Sequence, residues 1–367
     1  MLTAKPLLRT NNTYAANKSP SKPSPVQLHI HQHILPLANP FRISHGTRTE
    51  QPTLIVELSD TDGGLSGLGE AAMTSYYGLD LGRCTDVLTS IAPAFPPLKT
   101  LTPEGLHTLL GREAPDLHPF LRCALDVATH DLWAKKQQQR LGKLWPVDHP
   151  RQTPTCYTIG LGSIEEMVAK LEAFPWPVYK IKLGGGADDL AIIRALRERT
   201  ASPFYVDANT GWTARQTIDL SGPLSDLGVV FIEQPLKPED TAGQREAFAH
   251  SALPLIADES CQTEADVDHC AGQFHGINIK VVKCGGLLPA RRMIARARER
   301  DLSVMVGCMT ESSVGISGIA QLLPELDYAD MDGAMLLAKD IAEGVTFDST
   351  SGLAIYPDLA GTGAKLL

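Results

Sequence analysis

Apolar and polar positions change period along this chain in a regular way. From residue 155 onward, short runs rich in β-branched and aromatic residues alternate with stretches whose apolar residues recur every three or four positions. The runs "TCYTIG", "VYKIKLG", "FYVDAN", "GVVFIEQP", "LPLIADES", "INIKVVKCGG", "SVMVGCM" and "YADMDG" predict eight strands. Between them, segments such as "SIEEMVAKLEAF", where Ser163 and Glu166 form a capping box, predict helices. Alternation of this kind means parallel βαβ units, and eight of them close a (β/α)8 barrel. The pattern puts the barrel at about 152–343.

Polar residues then fall on a ruler. Lys182, Asp207, Glu233, Asp258 and Lys283 follow one another at intervals of 25 or 26 residues, and a further step reaches Cys308 and then Asp332. Each strand thus delivers a polar group near its C-terminal end, the face on which barrel active sites are built. An isolated acid at a strand end is an ordinary helix cap. Five ionisable groups in phase on one rim need another explanation.

Asp207, Glu233 and Asp258 come from adjoining strands and would repel one another without a cation between them. All-oxygen ligation selects a hard ion, Mg2+ above all, with Mn2+ as a substitute and one ion per subunit. Lys182 and Lys283, on the second and sixth strands, would face each other across the mouth. With a substrate carboxylate held at the ion, a lysine can remove the adjacent α-proton while charge on the ion stabilises the enediolate. Two bases on opposite faces would invert the stereocentre. Lys180 shares a strand face with Lys182 and reads as its electrostatic companion.

"KIK", "VDAN", "IEQP", "ADES" and "IKVVKCGG" resemble, in order, the motifs of the enolase superfamily, in the subgroup named for muconate lactonizing enzyme. Further matches are "PFRISHGTRTE", "GLGEAAMTSYYG" and "ALDVATHDLWAKKQQQRLGKL", so the resemblance spans about residues 27–360. It implies a TIM-type barrel with an α+β amino-terminal capping domain over 26–140. Residues 344–367, with the strand pair in "VTFDSTSGLAIYP", would return to that domain. "DMDG" is similar to the Asp-x-Asp of dipeptide epimerases, which implies that Asp330 and Asp332 bind the α-ammonium of a dipeptide. Two acids one residue apart on a strand share a face and need a cation, which agrees. Arg48, in the loop "ISHGTRTE", matches an arginine that pairs with a glutamate side chain of substrate in some members. The resemblance also places Thr158 and Cys308 beside the substrate, with Asn209, Glu259 and Lys280 supporting the ligands.

The implied activity is Mg2+-dependent epimerisation of the C-terminal residue of a dipeptide, with L-Ala-D/L-Glu favoured. N-acylamino-acid racemisation, o-succinylbenzoate synthesis and muconate cycloisomerisation share the chemistry but need no ammonium-binding Asp pair. A non-catalytic barrel that binds Mg2+ and peptide is a rival of another class.

Composition narrows the partners. A net charge of −9 and a pI of about 5.7 disfavour nucleic acid and anionic membranes. Seven scattered cysteines without a C-x-x-C pair suit a reducing compartment, hence the cytoplasm. Residues 1–25, rich in Ser, Pro, Asn and Lys, read as a disordered extension. The absence of any acidic residue before Glu50 leaves organellar targeting as the alternative. A homo-oligomer is compatible with all of this.

Overall fold

The computed structural model describes residues 26–43, 46–59, 64–74, 77–97, 100–184, 186 and 188–367. The extension expected over 1–25 lies outside them. Three antiparallel strands open the described chain: β1 (Gln27–Ile43), β2 (Gly46–Ser59) and β3 (Ser66–Ala72), with β2 central. Three helices follow: α1 (Leu81–Ile91), α2 (Pro103–Glu113) and the long α3 (Pro119–Lys136).

The sheet lies directly on α3 because β3 presents glycine to it. A Cβ on Gly67 would lie 2.1 Å from the Ala128 carbonyl, and one on Gly69 would lie 2.0 Å from that of Ala124. No other residue permits so close an approach. Asp131 of α3, wholly buried, accepts from the Leu68 amide at 2.9 Å and from the Thr362 amide at 2.7 Å. It thereby ties the sheet and the C-terminal residues to one helix.

All eight predicted strands form, in one parallel sheet whose order follows the chain: β4 (Tyr157–Ile159), β5 (Tyr179–Lys182), β6 (Phe204–Asp207), β7 (Val229–Glu233), β8 (Leu255–Ala257), β9 (Gly276–Lys280), β10 (Ser303–Gly307) and β11 (Tyr328–Asp330). The near-continuous apolar runs suit strands buried on both faces. Helices alternate with them: α4 (Ile164–Ala173), α5 (Asp189–Arg197), α6 (Ala214–Asp226), α7 (Thr241–His250), the short α8 (Val267–Cys270) and α9 (Val281–Cys284), α10 (Leu287–Glu299) and α11 (Ser313–Ile319). The Ser163–Glu166 capping box opens α4 as its sequence predicts.

The two end strands do not zip together along a ladder. They meet through one bridge, Thr155 to Ala329, and through side chains: the Met331 amide donates to Thr155 Oγ1 at 2.8 Å, and the Thr158 amide to Asp332 Oδ2 at 2.6 Å. The barrel is thus nearly closed, and part of its seam is made by a residue on the site rim.

Candidate active site

Parallel neighbours bring the strand ends to one rim. Lys182 is in register with Asp207, and Asp207 with Glu233. Asp258 follows β8 directly, Cys308 follows β10, and Asp332 lies two residues beyond the end of β11. A cavity of about 140 Å3 opens there, lined among others by Thr158, Lys180, Lys182, Asn209, Asp258, Glu259, Lys280, Lys283, Cys308, Asp330 and Asp332. Arg48, Gln51 and Thr74 of the amino-terminal unit complete its wall.

Lys180 sits beneath this cavity with no exposed surface. Its ammonium lies 2.8 Å from Glu233, 2.9 Å from Asp330 and 3.1 Å from Asp207. Burial would lower its pKa, but the charges of Asp330, Glu233 and Asp207 outweigh burial and hold it well above the usual lysine range. Lys182 donates to Asp207 Oδ2 at 2.5 Å. Burial opposes ionisation of Asp207, yet Lys182 and Lys180 bring it below the ordinary carboxylate range.

Two expectations need correction. Lys283 is not on the sixth strand, which ends at Lys280; it stands in the short helix α9 that follows. Gly285 and Gly286, at φ 94° and 132°, stop that turn before it lengthens. The turn brings Lys283 back beside Lys280, the last residue of β9. Lys280 and Lys283 accordingly reach the same carboxylate, at 2.7 Å to Asp258 Oδ2 and 2.8 Å to Oδ1. Arg48, expected in a loop, lies on β2 opposite Phe41, past an irregularity in the β1–β2 register. Its guanidinium donates to Gln51 Oε1 at 3.2 Å and to Thr74 Oγ1 at 2.7 Å, both neutral partners.

The remaining acids divide by their neighbours. Burial and the charge of Asp207 raise Glu233, whose Oε1 accepts from Asn278 at 2.8 Å. Its Oε2, although near Lys180, makes no hydrogen bond. Burial, then Asp258, pushes Glu259 up to about 7, and its buried Oε2 also has no hydrogen-bond partner. Asp330 is held low by Lys180 against the effect of burial, whereas burial and Asp330 push Asp332 up to about 7. Cys308 and these two aspartates bring a sulfur and two carboxylate oxygens within 4.8 Å of one another, the one such cluster among the described residues.

Asp207, Glu233 and Asp258 suit a hard divalent cation in chemistry: three carboxylates at the C-terminal ends of adjoining strands, one with an unbonded buried oxygen. Here their charge is met instead by the ammonium groups of Lys180, Lys182, Lys280 and Lys283. Asn209, at φ 45°, donates its amide to Asp207 Oδ1 at 3.0 Å and keeps a buried side-chain oxygen without a partner.

Several residues of the site escaped the sequence reading. Gln234, at φ 35°, accepts from the amides of Asp258 and Ser260 at 2.9 and 3.0 Å and so fixes the loop that carries Asp258. Asn278 sits two residues before Lys280 on β9, so the period-two pattern of "INIK" marks it as sharing that face.

The chain matches the family model for the mandelate racemase / muconate lactonizing enzyme amino-terminal domain over residues 26–145. It matches the enolase C-terminal domain-like model over 163–366. The chain belongs to the mandelate racemase / muconate lactonizing enzyme family. Within that family, an L-Ala-D/L-amino acid epimerase of Flavobacterium johnsoniae is 46% identical over 93% of this chain and 100% of its own length. The Bacillus subtilis L-Ala-D/L-Glu epimerase, solved with substrate, superposes with a TM-score of 0.84 at 26% identity, over 93% of this chain and 98% of that one. A Methylococcus capsulatus dipeptide epimerase, solved with Mg and L-Arg-D-Lys, gives 0.82 at 31% identity, over 93% and 99%.

Proposed function

We propose that this protein is a dipeptide epimerase that inverts the α-carbon of the C-terminal residue of L-Ala-D/L-amino acid dipeptides, with glutamate accepted in that position. One observation carries the reading. Lys182 and Lys283 sit on different carboxylates, Asp207 and Asp258, of a three-acid set, and both line the cavity that ends in Asp330 and Asp332. Two amines separated by an anionic platform suit proton transfer on either face of a bound carbon acid.

Asp207, Glu233 and Asp258 would hold one Mg2+ per subunit, with Mn2+ acceptable in its place. When bound, the cation supplies positive charge at the substrate carboxylate and so makes the neighbouring α-proton more acidic. Lys182 takes the proton from one face and Lys283 returns one from the other. Asp330 and Asp332 receive the substrate ammonium, for which a carboxylate pair is the matching partner. Thr158, whose amide fixes Asp332, and Cys308 wall this end. Lys180 braces the ammonium end to the carboxylates, while Lys280 neutralises Asp258 beside Lys283. Asn209 and Glu259, each with a buried side-chain oxygen that has no hydrogen-bond partner, would support the carboxylates that hold the ion. Arg48 offers a guanidinium held only by neutral groups to an acidic side chain.

Among the described residues no helix is long and apolar enough to cross a membrane. With seven free cysteines, we place the enzyme in the cytoplasm. The direct test is incubation with L-Ala-L-Glu and Mg2+ in D2O, followed by NMR of the glutamate α-proton and chiral separation. Exchange with formation of the D epimer is expected. A dipeptide library that shows neither exchange nor inversion would overturn the reading.

A further inference from the structure

Two glutamates meet at the junction between the amino-terminal sheet and the barrel, where neither serves the chemistry above. Glu70 of β3 is 1% exposed and Glu311, in the loop after β10, is 2% exposed. Among the described residues, no lysine, arginine or histidine lies within salt-bridge distance of either. Both approach the same glycine. A Cβ on Gly315 would lie 2.2 Å from Glu311 Oε2 and 3.1 Å from Glu70 Oε2. Two ionised carboxylates so close and so deeply buried repel strongly, and one such group keeps its proton.

The donors decide which. Glu70 receives the Thr53 hydroxyl at 2.7 Å, the Ser312 hydroxyl at 2.5 Å, the Ser312 amide at 3.0 Å and the Gly315 amide at 2.9 Å. Glu311 receives the Met309 amide alone, at 2.8 Å. Hydrogen bonds to a carboxylate favour its charged form, so the charge belongs to Glu70 and the proton to Glu311. We propose that Glu311 is carried as a neutral acid beside ionised Glu70, and that its proton registers the cavity loop of Met309 and Thr310 against the amino-terminal sheet. Met309 and Thr310 line the cavity, so the register of this loop reaches the substrate. Glu311 is a positioning residue.

The surroundings agree. Burial first, and the charge of Glu70 second, push Glu311 up to about 8, while the Met309 amide and Lys280 of β9 act the other way. Burial also raises Glu70, against the pull of its four donors. The other titratable groups facing the pair are the Cys123 thiol of α3 and the Cys308 thiol after β10, both raised by burial. Asp340 accepts from the neighbouring Ser313 amide. Because the pKa of Glu311 in this arrangement is raised, the proton and the register it holds are kept at lower pH and lost as pH rises through about 8.

The inference rests on the epimerase reading only for its kinetic arm. For that arm, KM for L-Ala-L-Glu is followed from pH 6.5 to 9.5 in wild type, Glu311→Gln and Glu311→Ala. Glutamine keeps an acceptor for the Met309 amide and offers an N–H toward Glu70. It should hold the wild-type KM at pH 7 and remove the alkaline rise in KM that wild type is expected to show as pH passes about 8. Alanine should raise KM at every pH. The second arm needs no turnover: infrared difference spectra should show a protonated carboxyl that disappears with a midpoint near 8 in wild type. In Glu70→Gln that midpoint should fall. An alkaline limb identical in wild type and Glu311→Gln, or a midpoint unmoved by Glu70→Gln, would overturn the assignment.

Discussion

The Lys180 ammonium lies 2.8 Å from the Glu233 carboxylate, and neither side chain has any exposed surface. Removing one partner of such a pair leaves an uncompensated buried charge. Lys180→Met should therefore destabilise the fold by about 3–5 kcal/mol in denaturant titration. Mg2+ should restore more stability to this variant than to wild type, since a cation among Asp207, Glu233 and Asp258 would replace the lost ammonium. Equal Mg2+ effects on the two proteins would argue against metal binding at those acids.

Turnover should disappear with chelator and return with Mg2+. Glu233→Gln keeps the shape of the side chain and removes its charge, so it should weaken Mg2+ affinity in calorimetry by at least tenfold while the barrel stays folded. Full activity in a preparation proven free of metal would refute the role given to the three carboxylates.

The two bases should be separable by stereochemistry. Lys182→Ala and Lys283→Ala each leave one amine in place, on Asp258 and Asp207 respectively. Inversion should fall by several orders of magnitude in both, as it does when one member of a catalytic unit is removed. Exchange of the α-proton with deuterium should survive for one epimer only, and for opposite epimers in the two variants. NMR of both epimers with both variants reads this directly. Loss of all exchange in one variant with none in the other would mean that a single base does the chemistry.

Acetylating the dipeptide amine removes the charge assigned to Asp330 and Asp332. The kcat/KM should drop by about 10^2-fold or more, the scale of a lost charge-assisted hydrogen bond. An N-acetylated substrate handled as well as the parent would point to N-acylamino-acid racemisation instead.

Arg48→Met should lower kcat/KM for L-Ala-L-Glu by about tenfold to a hundredfold, the scale of a charged hydrogen bond. L-Ala-L-Leu should be nearly unaffected. A uniform loss across substrates would assign Arg48 to holding the β2–β3 region through Gln51 and Thr74.

The barrel was legible because its signal is repetition: eight apolar runs in step, with polar groups spaced 25 or 26 residues apart. Local pattern did less well where the chain breaks its own period. "INIKVVKCGG" reads as one strand by composition, yet the Gly285–Gly286 pair closes a helical turn that lifts Lys283 off β9. "ISHGTRTE" reads as a loop by its polarity, although Arg48 continues β2. Contacts between distant segments left no trace in spacing. Lys180 with Asp330, Gln234 with the Asp258 amide, and Glu70 with Ser312 are joined only once the barrel and the amino-terminal sheet come together.

The seam between β4 and β11 bears on how this scaffold can acquire new substrates. Asp332 both faces the cavity and receives the Thr158 amide across the seam, so its replacement would alter recognition and weaken the barrel's closure in one step. Arg48 carries no such double duty toward the barrel, since its partners all lie in the amino-terminal sheet and the loop after it. On the role proposed for Arg48, lineages descending from such a chain could vary the C-terminal side chain they accept by single changes near that residue. On the role proposed for Asp332, a change in what they demand of the amine would call for a second fastening of the eighth strand to the first.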